Sequence, residues 1–287
     1  MAIINENDIW AVGEIYIPDT SSTGYTTYNA VNWNGSQWEL KRVYFPTICG
    51  QPSQTAYPAG AIFSFSDGQI WISSTGDKIA VLQDGIQINK FCLPWSFSIN
   101  KIWGTSSNDL YVVGNNGNIA HYQNGQWSRI ESGTDANIRD IWGIPDGSGG
   151  YNKYLAAGNS MLVIDAEDSL TRIDAEPGHS LSSVWGKSNR LIYTAGGYGL
   201  SLYKNEKWGK SNRPDVNTIY NIRGWDFNDV FGLSSTYSIL HFNGYTWEYI
   251  IPTSSIVYYR EDVKNNLIVA VGWQGEKAAV TIIKRNN

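Results

Sequence analysis

The chain has 287 residues, a net charge of −5 and a pI near 5.2, and its Lys and Arg residues never form a run longer than two. This excludes the basic stripe that a nucleic-acid surface needs. No segment approaches about 18 consecutive apolar residues, so we expect no transmembrane segment. Residues 1–5 have neither the basic start nor the apolar stretch of a signal peptide.

The chain repeats one phrase seven times, most clearly between Ile102 and Trp127. Each copy begins with a dipeptide that opens a first apolar stretch. A polar turn follows, and then a second and a third apolar stretch. The residue before the second stretch marks the copies at Asp8, Gln69, Asp109, Lys153, Arg190, Asp229 and Asn266. A fixed period of about 40 residues with four short strands per copy is typical of propeller blades.

The third copy predicts how one unit folds. We expect strand A over residues 101–104, strand B over 110–113, strand C over 118–123 and strand D over 127–130. Asn124-Gly125 is the favoured dipeptide of a two-residue hairpin between C and D. No window has the apolar spacing of an amphipathic helix, so the chain is predicted to be all-β.

The units predict a single seven-bladed β-propeller of four-stranded antiparallel blades, filling residues 1–287 as one domain. They lie near residues 1–45, 61–93, 99–131, 138–174, 181–212, 219–251 and 256–287. The last unit ends after strand C. Residues 2–5 can complete the first blade or supply the outer strand of the last, but not both, so one blade is expected to be three-stranded.

The third unit also carries a recognisable series of residues: Trp103-Gly104, Asp109, Val113-Gly114, Gly117, His121-Tyr122, Gly125 and Trp127. On this series the chain resembles bacterial repeat proteins built on the same phrase. The order of parts is similar to propellers of the BNR (Asp-box) superfamily, which includes the photosystem II stability/assembly factor family. Their C–D turn carries Ser-x-Asp-x-Gly-x-Thr-Trp, of which only Gly and Trp remain here. The resemblance implies a propeller and carries over no active site.

Cys49 and Cys92 are the only cysteines, and both follow the fourth strand of neighbouring units. Similar places on adjacent blades could bring them together as a disulfide. Two buried free thiols are the alternative. Because the chain begins almost directly on the second strand of a repeat, we interpret it as a mature or excised piece of a longer protein.

Aromatic residues recur on the predicted innermost strands. They are Trp103, Trp142 and Trp185, with Phe63, Arg223 and Arg260 at matching places. We favour packing between blades, because a residue matched in every repeat is typical of a structural position. The alternative is an aromatic ring with two arginines, suited to an anionic or sugar ligand.

Two further positions recur in the repeat. Asp8, Asp109 and Asp229 are predicted to accept backbone N–H bonds in the A–B turns. His121 and His241 share one place on strand C, where the first unit has Asn32, and are predicted to be hydrogen-bonded structural residues. No catalytic grouping, metal site or cofactor motif emerges from the sequence.

The D–A and B–C loops are expected on one face, the short A–B and C–D turns on the other. The first set varies most, over residues 14–26, 46–60, 93–98, 176–183, 213–221 and 252–258. Variation confined to one face is typical of a binding face. The predicted ligand-binding residues are Tyr25, Tyr57, Trp95, His179, Tyr198, Tyr220, Tyr237, Tyr258 and Trp273. Of these, Tyr57, Trp95, Tyr220, Tyr258 and Trp273 are expected to be partly exposed around one mouth.

These features predict a non-enzymatic binding or scaffold propeller that engages a protein or glycan through the variable loops. A lectin-like module is the alternative, and a glycosidase or lyase a further one. We expect no cofactor, no metal and no nucleic acid. A secreted, periplasmic or cell-surface location is expected, for a monomer or one domain of a larger protein.

Overall fold

The computed structural model describes residues 1–174, 180–197, 199–210, 218–252 and 254–285. Within these ranges all regular secondary structure is strand, with no helix. Seven main sheets follow one another along the chain, together with one two-stranded hairpin. The chain divides into two compact units, Met1–Glu131 and Ser132–Asn287.

The first unit contains three four-stranded sheets and the small hairpin. The first sheet consists of β1 (Ala2–Asn5), β2 (Asp8–Pro18), β3 (Tyr25–Trp33) and β4 (Trp38–Lys41). The hairpin consists of β5 (Phe45–Pro46) and β6 (Gln54–Thr55). The second sheet consists of β7 (Ala59–Ser64), β8 (Gln69–Ser74), β9 (Lys78–Gln83) and β10 (Ile86–Cys92). The third sheet consists of β11 (Ile99–Ser106), β12 (Asp109–Gly114), β13 (Asn118–Gln123) and β14 (Gln126–Glu131).

The second unit contains the remaining four sheets. The fourth consists of β15 (Ile138–Pro145), β16 (Tyr151–Ala157), β17 (Ser160–Ile164) and β18 (Leu170–Asp174). The fifth consists of β19 (Leu181–Ser188), β20 (Leu191–Gly196), β21 (Gly199–Lys204) and β22 (Lys207–Lys210). The sixth consists of β23 (Ile219–Asp226), β24 (Asp229–Ser234), β25 (Ile239–Phe242) and β26 (Trp247–Ile251). The seventh has β27 (Val257–Lys264), β28 (Leu267–Gln274) and β29 (Lys277–Lys284).

Each sheet corresponds to one predicted unit, with its strands A to D in chain order and antiparallel to their neighbours. β1 pairs with β2, so residues 2–5 complete the first sheet, and the last described sheet has three strands. This confirms the expectation of one three-stranded blade. The extent of the single domain, residues 1–287, stays a prediction.

Neighbouring sheets pack through aromatic side chains from strands B, C and D. In the first unit, Trp71 of the second sheet lies 5.3 Å from the ring of Tyr122 and 6.4 Å from that of Trp127 in the third. In the second unit, Trp247 of the sixth sheet joins a core cluster with Trp185 and Tyr193 of the fifth. The Trp that follows the C–D turn therefore packs against strand B of the preceding sheet.

The glycine that ends several B strands is required by a close backbone approach. A Cβ at Gly114 would lie 2.1 Å from the carbonyl oxygen of Ser98, and one at Gly196 would lie 1.7 Å from that of Ser180. Gly272 has the same relation to Val257, at 1.9 Å. The chain that enters strand A passes so close to the end of strand B that only glycine fits there.

A β-bulge recurs near the start of strand A. In the sixth sheet Ile219 pairs with Ser234 and Asn221 with Leu233, which leaves Tyr220 as the extra residue. The third to seventh sheets share this irregularity, and their extra residues are Asn100, Arg139, Ser182, Tyr220 and Tyr259. Since a bulge re-aims the side chain of its extra residue, this position forms a repeated series along the inner strands.

Candidate binding surface

Four bulge residues of the second unit form what we call the bulge row: Arg139, Ser182, Tyr220 and Tyr259. Each lies near the beginning of strand A, the edge at which the D–A and B–C loops meet their sheets. Arg139 is exposed and Tyr259 is 50% exposed, while Ser182 and Tyr220 are half-buried. The row therefore offers two aromatic rings, a hydroxyl and a guanidinium at one edge.

Contacts between neighbouring strands fix this row. The Tyr220 and Tyr259 rings lie 6.5 Å apart with a tilt of 35°. The Ser182 hydroxyl donates to the carbonyl oxygen of Tyr220 at 3.0 Å. Because the tyrosines project from adjacent inner strands, they form a small aromatic platform on which an apolar group could pack.

Positive charge lies beside the row. Burial lowers the pKa of Arg260, Asp140 opposes that change, and the guanidinium groups of Arg223 and Arg139 push the pKa down further. Glu261 opposes this change together with Asp140. An anionic group bound at this edge would offset the repulsion between the guanidinium groups.

Beneath the row lies a buried ion pair that the sequence did not indicate. Arg223 donates to both oxygens of Asp140, through Nη2 at 2.8 Å and Nη1 at 2.9 Å. The Ser183 hydroxyl donates to the same carboxylate at 2.6 Å. Arg223 and Asp140 are each only 2% exposed, so they are satisfied by one another rather than open to a ligand.

Glu261 is a second buried acid, on the next inner strand. It pairs with Ala270, the register place that Ile102, Ile141, Val184 and Ile222 fill in other sheets. Among the residues that the structure describes, neither carboxylate oxygen has a hydrogen-bond partner of ordinary geometry. Burial raises the pKa of the Glu261 carboxyl well above its usual value, although the charge and the backbone N–H of Arg223 act to lower it.

The prediction that the aromatic residues of the inner strands pack between blades is correct for Trp103 and Trp185. The prediction that Arg260 occupies the matching place is wrong. Trp103 and Trp185 are buried, as packing between blades requires. Trp142 is half-buried, and its Nε1 donates to the carbonyl oxygen of Gly186 at 2.8 Å. Arg260 does not occupy the Trp place. Asp262, three residues after the bulge at Tyr259 as Trp103 is after Asn100, lies there instead.

The predicted binding residues of the second unit separate by burial. The prediction that Tyr258 is exposed is wrong. It is 1% exposed and its hydroxyl lies 2.8 Å from that of Thr281, whereas Tyr259, the extra residue of the bulge, points outward. Trp273, opposite Val257, is 48% exposed, and Tyr237 in the B–C turn is exposed as well. His179 and Tyr198 lie outside the described residues.

In the first unit, the predicted loop over residues 14–26 is a turn only at residues 19–24. The flanking residues extend β2 and β3 into a long hairpin, where the exposed Tyr16 and Tyr25 rings meet edge to face at 4.9 Å. Period-two alternation of residues 14–18 and the Tyr25–Thr27 stretch was the signal for these strands. Tyr25 is thus exposed, as part of a strand pair rather than a loop.

Tyr57 and Trp95 lie next to the starts of β7 and β11 and are both half-buried. The Lys78 ammonium lies 4.5 Å above the Tyr57 ring, and the Tyr57 carbonyl oxygen accepts a hydrogen bond from Asn29 at 2.7 Å. Trp95 packs against the cluster around Trp71. Both contribute to packing as well as to the surface.

Cys49 and Cys92 form a disulfide, with Cα atoms 5.8 Å apart. Neither is a buried thiol, since Cys49 is exposed and Cys92 half-buried. The bridge fastens the β5–β6 hairpin to the outer strand β10. A polar groove of about 450 Å³ lies alongside, lined by Tyr44, Gln54, Gln87, Ile88, Asn89 and Lys90. No predicted binding residue lines this groove.

The recurring Asp residues pair with side chains of strand C, and their bonds to turn amides stay a prediction. Asp109 accepts from Nε2 of His121 at 2.8 Å, and Asp229 pairs with His241 at 3.0 Å. In the first sheet Asn32 donates to Asp8 at 2.8 Å. The carboxylate on strand B thus pairs with the side chain on strand C that recurs with it. This confirms that both histidines are hydrogen-bonded.

Each of these histidines also stacks on an aromatic ring of strand B. Tyr111 lies 4.0 Å from His121, and Phe231 lies 4.4 Å from His241. Burial lowers the pKa of His241. Among the described residues, no three His, Cys, Asp or Glu side chains are grouped as metal ligands would be. Within the same ranges, no helix is long and apolar enough to span a membrane.

Solved structures show what this architecture is similar to. "YCF48 bound to D1 peptide" superposes with a TM-score of 0.70 at 15% identity, covering 100% of this chain and 91% of that one. YCF48 from Cyanidioschyzon merolae gives 0.65 at 15% identity, with 95% and 97% covered. Virginiamycin B lyase from Staphylococcus aureus gives 0.67 at 13% identity, with 93% and 92% covered. No protein-family model and no curated protein matches the sequence.

At these identities the similarity defines the fold alone. The chain is an all-β, seven-bladed β-propeller, as the repeats predicted. It resembles the propellers of both a peptide-bound protein and a lyase.

Proposed function

We propose that this protein is a non-enzymatic binding or scaffold propeller that holds an extended segment of a protein partner on the bulge row. The observation that carries the proposal is the repeated bulge at the start of strand A, which turns Tyr220 and Tyr259 outward side by side. Bulges are over-represented beside functional sites because they re-aim side chains. Aromatic side chains at such an edge are the usual anchors of protein contacts.

The chemistry beside the row favours an acidic segment. Arg139 is exposed, and the pKa of Arg260 is already lowered by burial and by neighbouring guanidinium groups. A carboxylate would pair with the exposed Arg139, while an apolar side chain packs on the tyrosines. A peptide partner has a precedent in the similarly folded YCF48, which has been solved bound to a D1 peptide.

The burial of the ionisable groups near the bulge row supports binding without catalysis. Asp140 and Arg223 neutralise each other in the interior, and Glu261 is 3% exposed. An acid–base pair for hydrolysis needs open access to its substrate. The lectin-like and the glycosidase or lyase alternatives remain as outcomes of the test below.

The Cys49–Cys92 disulfide supports the proposed extracytoplasmic location. Disulfides persist in secreted, periplasmic and cell-surface proteins and are rare in reducing compartments. Fractionation of the producing cells, with thiol labelling of the protein in each fraction, tests this. An oxidised protein outside the cytoplasm is expected, and a reduced cytoplasmic pool would contradict it.

Binding is tested by probing the labelled protein with short acidic and basic peptides and with a glycan array. The affinity of the best acidic peptide is then measured by calorimetry for Tyr259→Ser and Arg139→Gln. Each is expected to weaken binding about tenfold or more, as loss of an anchor does. Tyr245→Ser is the matched control, because Tyr245 is 92% exposed on the C–D turn at the opposite edge.

Three results would overturn the proposal. Glycan binding without peptide binding would favour the lectin-like alternative. Turnover of a bound glycan would favour a glycosidase or lyase. Equal loss of affinity in Tyr245→Ser would show that the bulge row is not the site.

A further inference from the structure

The seventh sheet ends in an open edge at β29. In each of the other six sheets, strand C pairs with a strand D on its outer side. Among the described residues, β29 pairs with β28 alone. With eight residues it is longer than most of the C strands.

The turn that precedes β29 determines which backbone groups face this edge. Gly275 and Glu276 form a two-residue connection, so Gln274 and Lys277 are the hydrogen-bonded pair that closes it. Hydrogen-bonded pairs alternate along an antiparallel ladder. The amide of Arg285, which donates to Asn266 at 2.9 Å, keeps this phase. The N–H and C=O groups of Ala278, Val280 and Ile282 therefore point to the open side.

Between its terminal lysines, this edge lacks the features that usually keep an edge strand from pairing. Its register with β28 is continuous, with no bulge. Between Lys277 and Lys284 the residues are Ala-Ala-Val-Thr-Ile-Ile, without proline or charge. Long, regular, apolar edges are templates for pairing with another strand.

We propose that β29 accepts an extended segment of a partner protein as the fourth strand of the seventh sheet, antiparallel to β29. Main-chain hydrogen bonds to Val280 and Ile282 supply the affinity, as in other cases of strand addition. This surface is separate from the bulge row and does not depend on the function proposed for it.

The chain's own D strands indicate the chemistry of the segment. In β14 the half-buried residues are Trp127 and Ile130, and in β18 they are Leu170 and Ile173. Both strands end in an acid, Glu131 or Asp174, and both of these acids pair with the first residue of strand C. In the seventh sheet the register place of Ser160 is held by Ala279, so the corresponding acid would lie opposite Ala279 and diagonal to Lys277, at a distance suited to an ion pair.

An aliphatic first residue fits the seventh sheet better than Trp. In the third sheet Trp127 lies 6.4 Å from Trp71 of the preceding sheet. Arg285 takes the equivalent place, 5.9 Å from Phe231, where it also pairs with Asp229. The segment therefore carries an aliphatic residue, a second aliphatic residue three positions later, and an acid directly after it.

The probe is a synthetic peptide with the sequence of residues 168–174, which has these features. Added to the full chain, it is expected to slow amide hydrogen exchange at Val280 and Ile282. The amides of Thr281 and Ile283, already directed to β28, should not change. Unaltered exchange at Val280 and Ile282 at saturating peptide concentration would overturn the proposal.

Two N-methylated peptides separate main-chain pairing from adhesion of side chains. Methyl groups on the amides of Thr171 and Ile173, which face strand C in β18, should weaken binding about tenfold or more. Methyl groups on Arg172 and Asp174, which face away from strand C, should have little effect. Equal loss with both peptides would refute pairing at the edge.

Substitutions in β29 test the same point from the protein side. Ile282→Pro removes an outward N–H without breaking the β28 ladder, a place where proline is tolerated. It should abolish binding, whereas Ile282→Ala should retain most of it. Tyr259→Ser should bind the peptide normally, which distinguishes this surface from the bulge row. A wild-type dimer that Ile282→Pro dissociates, seen by sedimentation, would identify a second copy of the chain as the occupant and overturn the proposal.

Discussion

Arg223 and Asp140 are joined by two hydrogen bonds although they are 83 positions apart in the chain. Asp140 lies on β15 and Arg223 on β23, with β19 between them. Ser183 of β19 contributes its hydroxyl to the same carboxylate, and the backbone N–H of Val184 donates to it at 3.0 Å. One buried ion pair thus connects the inner strands of three consecutive sheets in the second unit.

Removal of the carboxylate should leave the Arg223 charge buried without its partner. We expect Asp140→Asn to lower the free energy of unfolding by about 3–5 kcal/mol, the cost of breaking a buried pair. Denaturant titration measures this. The control is Asp226→Asn, which breaks the half-exposed Lys187–Asp226 pair and should cost no more than about 1 kcal/mol. Similar costs for the two variants would contradict the structural role of Asp140.

Glu261 should make stability fall as the pH rises. Burial raises the pKa of its carboxyl in the folded state, so the folded protein binds the proton more tightly than the unfolded chain does. The stabilising effect is complete below the unfolded pKa and is lost as the pH rises through the folded pKa. Arg223, Arg260 and Asp262 are the charged groups that act on this carboxyl.

The test compares Glu261→Gln with the wild type by denaturant titration across the acid-to-neutral range. The variant lacks the titrating group, so its stability relative to the wild type should increase with pH. Glu276→Gln, at an exposed position in the turn before β29, is the control and should keep the wild-type profile. Parallel profiles for Glu261→Gln and the wild type would show that this carboxyl ionises at its ordinary pKa.

Trp142 should contribute to the stability of the fold mainly through the packing of its ring. Its indole lies under the Arg223 guanidinium, with 5.1 Å from Cζ to the ring centroid. Trp142→Ala is expected to lower the free energy of unfolding by about 3–5 kcal/mol, as large core truncations do. Trp142→Phe, which mainly removes the hydrogen bond to Gly186, should cost about 1 kcal/mol. Trp225→Ala, at a 49% exposed residue, should change stability by less than about 0.5 kcal/mol. A change that small for Trp142→Ala would make the ring a ligand platform.

The disulfide should stabilise the first unit chiefly by lowering the conformational entropy of the unfolded chain. It closes a loop between positions separated by 43 residues. Replacement of both cysteines by Ser is expected to cost about 2–4 kcal/mol. Thermal unfolding with and without reductant measures this, since reductant should lower the Tm of the wild type but not that of the double variant. A wild type insensitive to complete reduction would refute the prediction.

The repeat in the sequence was sufficient to predict the strands and their antiparallel order, because turn chemistry and strand alternation act within a few residues. Asn124 and Gly125 both have positive φ, as their hairpin turn requires. The same local rules failed at the bulges. One extra residue reverses the direction of every side chain before it, so Tyr258 is inside and Tyr259 outside.

By itself the sequence determined the all-β class, the seven repeated units, and the histidine and aspartate positions that recur together. The tertiary structure decided that those side chains pair with each other, that residues 2–5 join the first sheet, and that Cys49 reaches Cys92. It also placed Asp140 against Arg223 and a glutamate at an aliphatic core position. The Cys49–Cys92 and Asp140–Arg223 relationships join residues that are far apart in the chain. They depend on how neighbouring sheets pack. A repeated sequence requires such packing, but its period does not specify which residues of the two sheets meet.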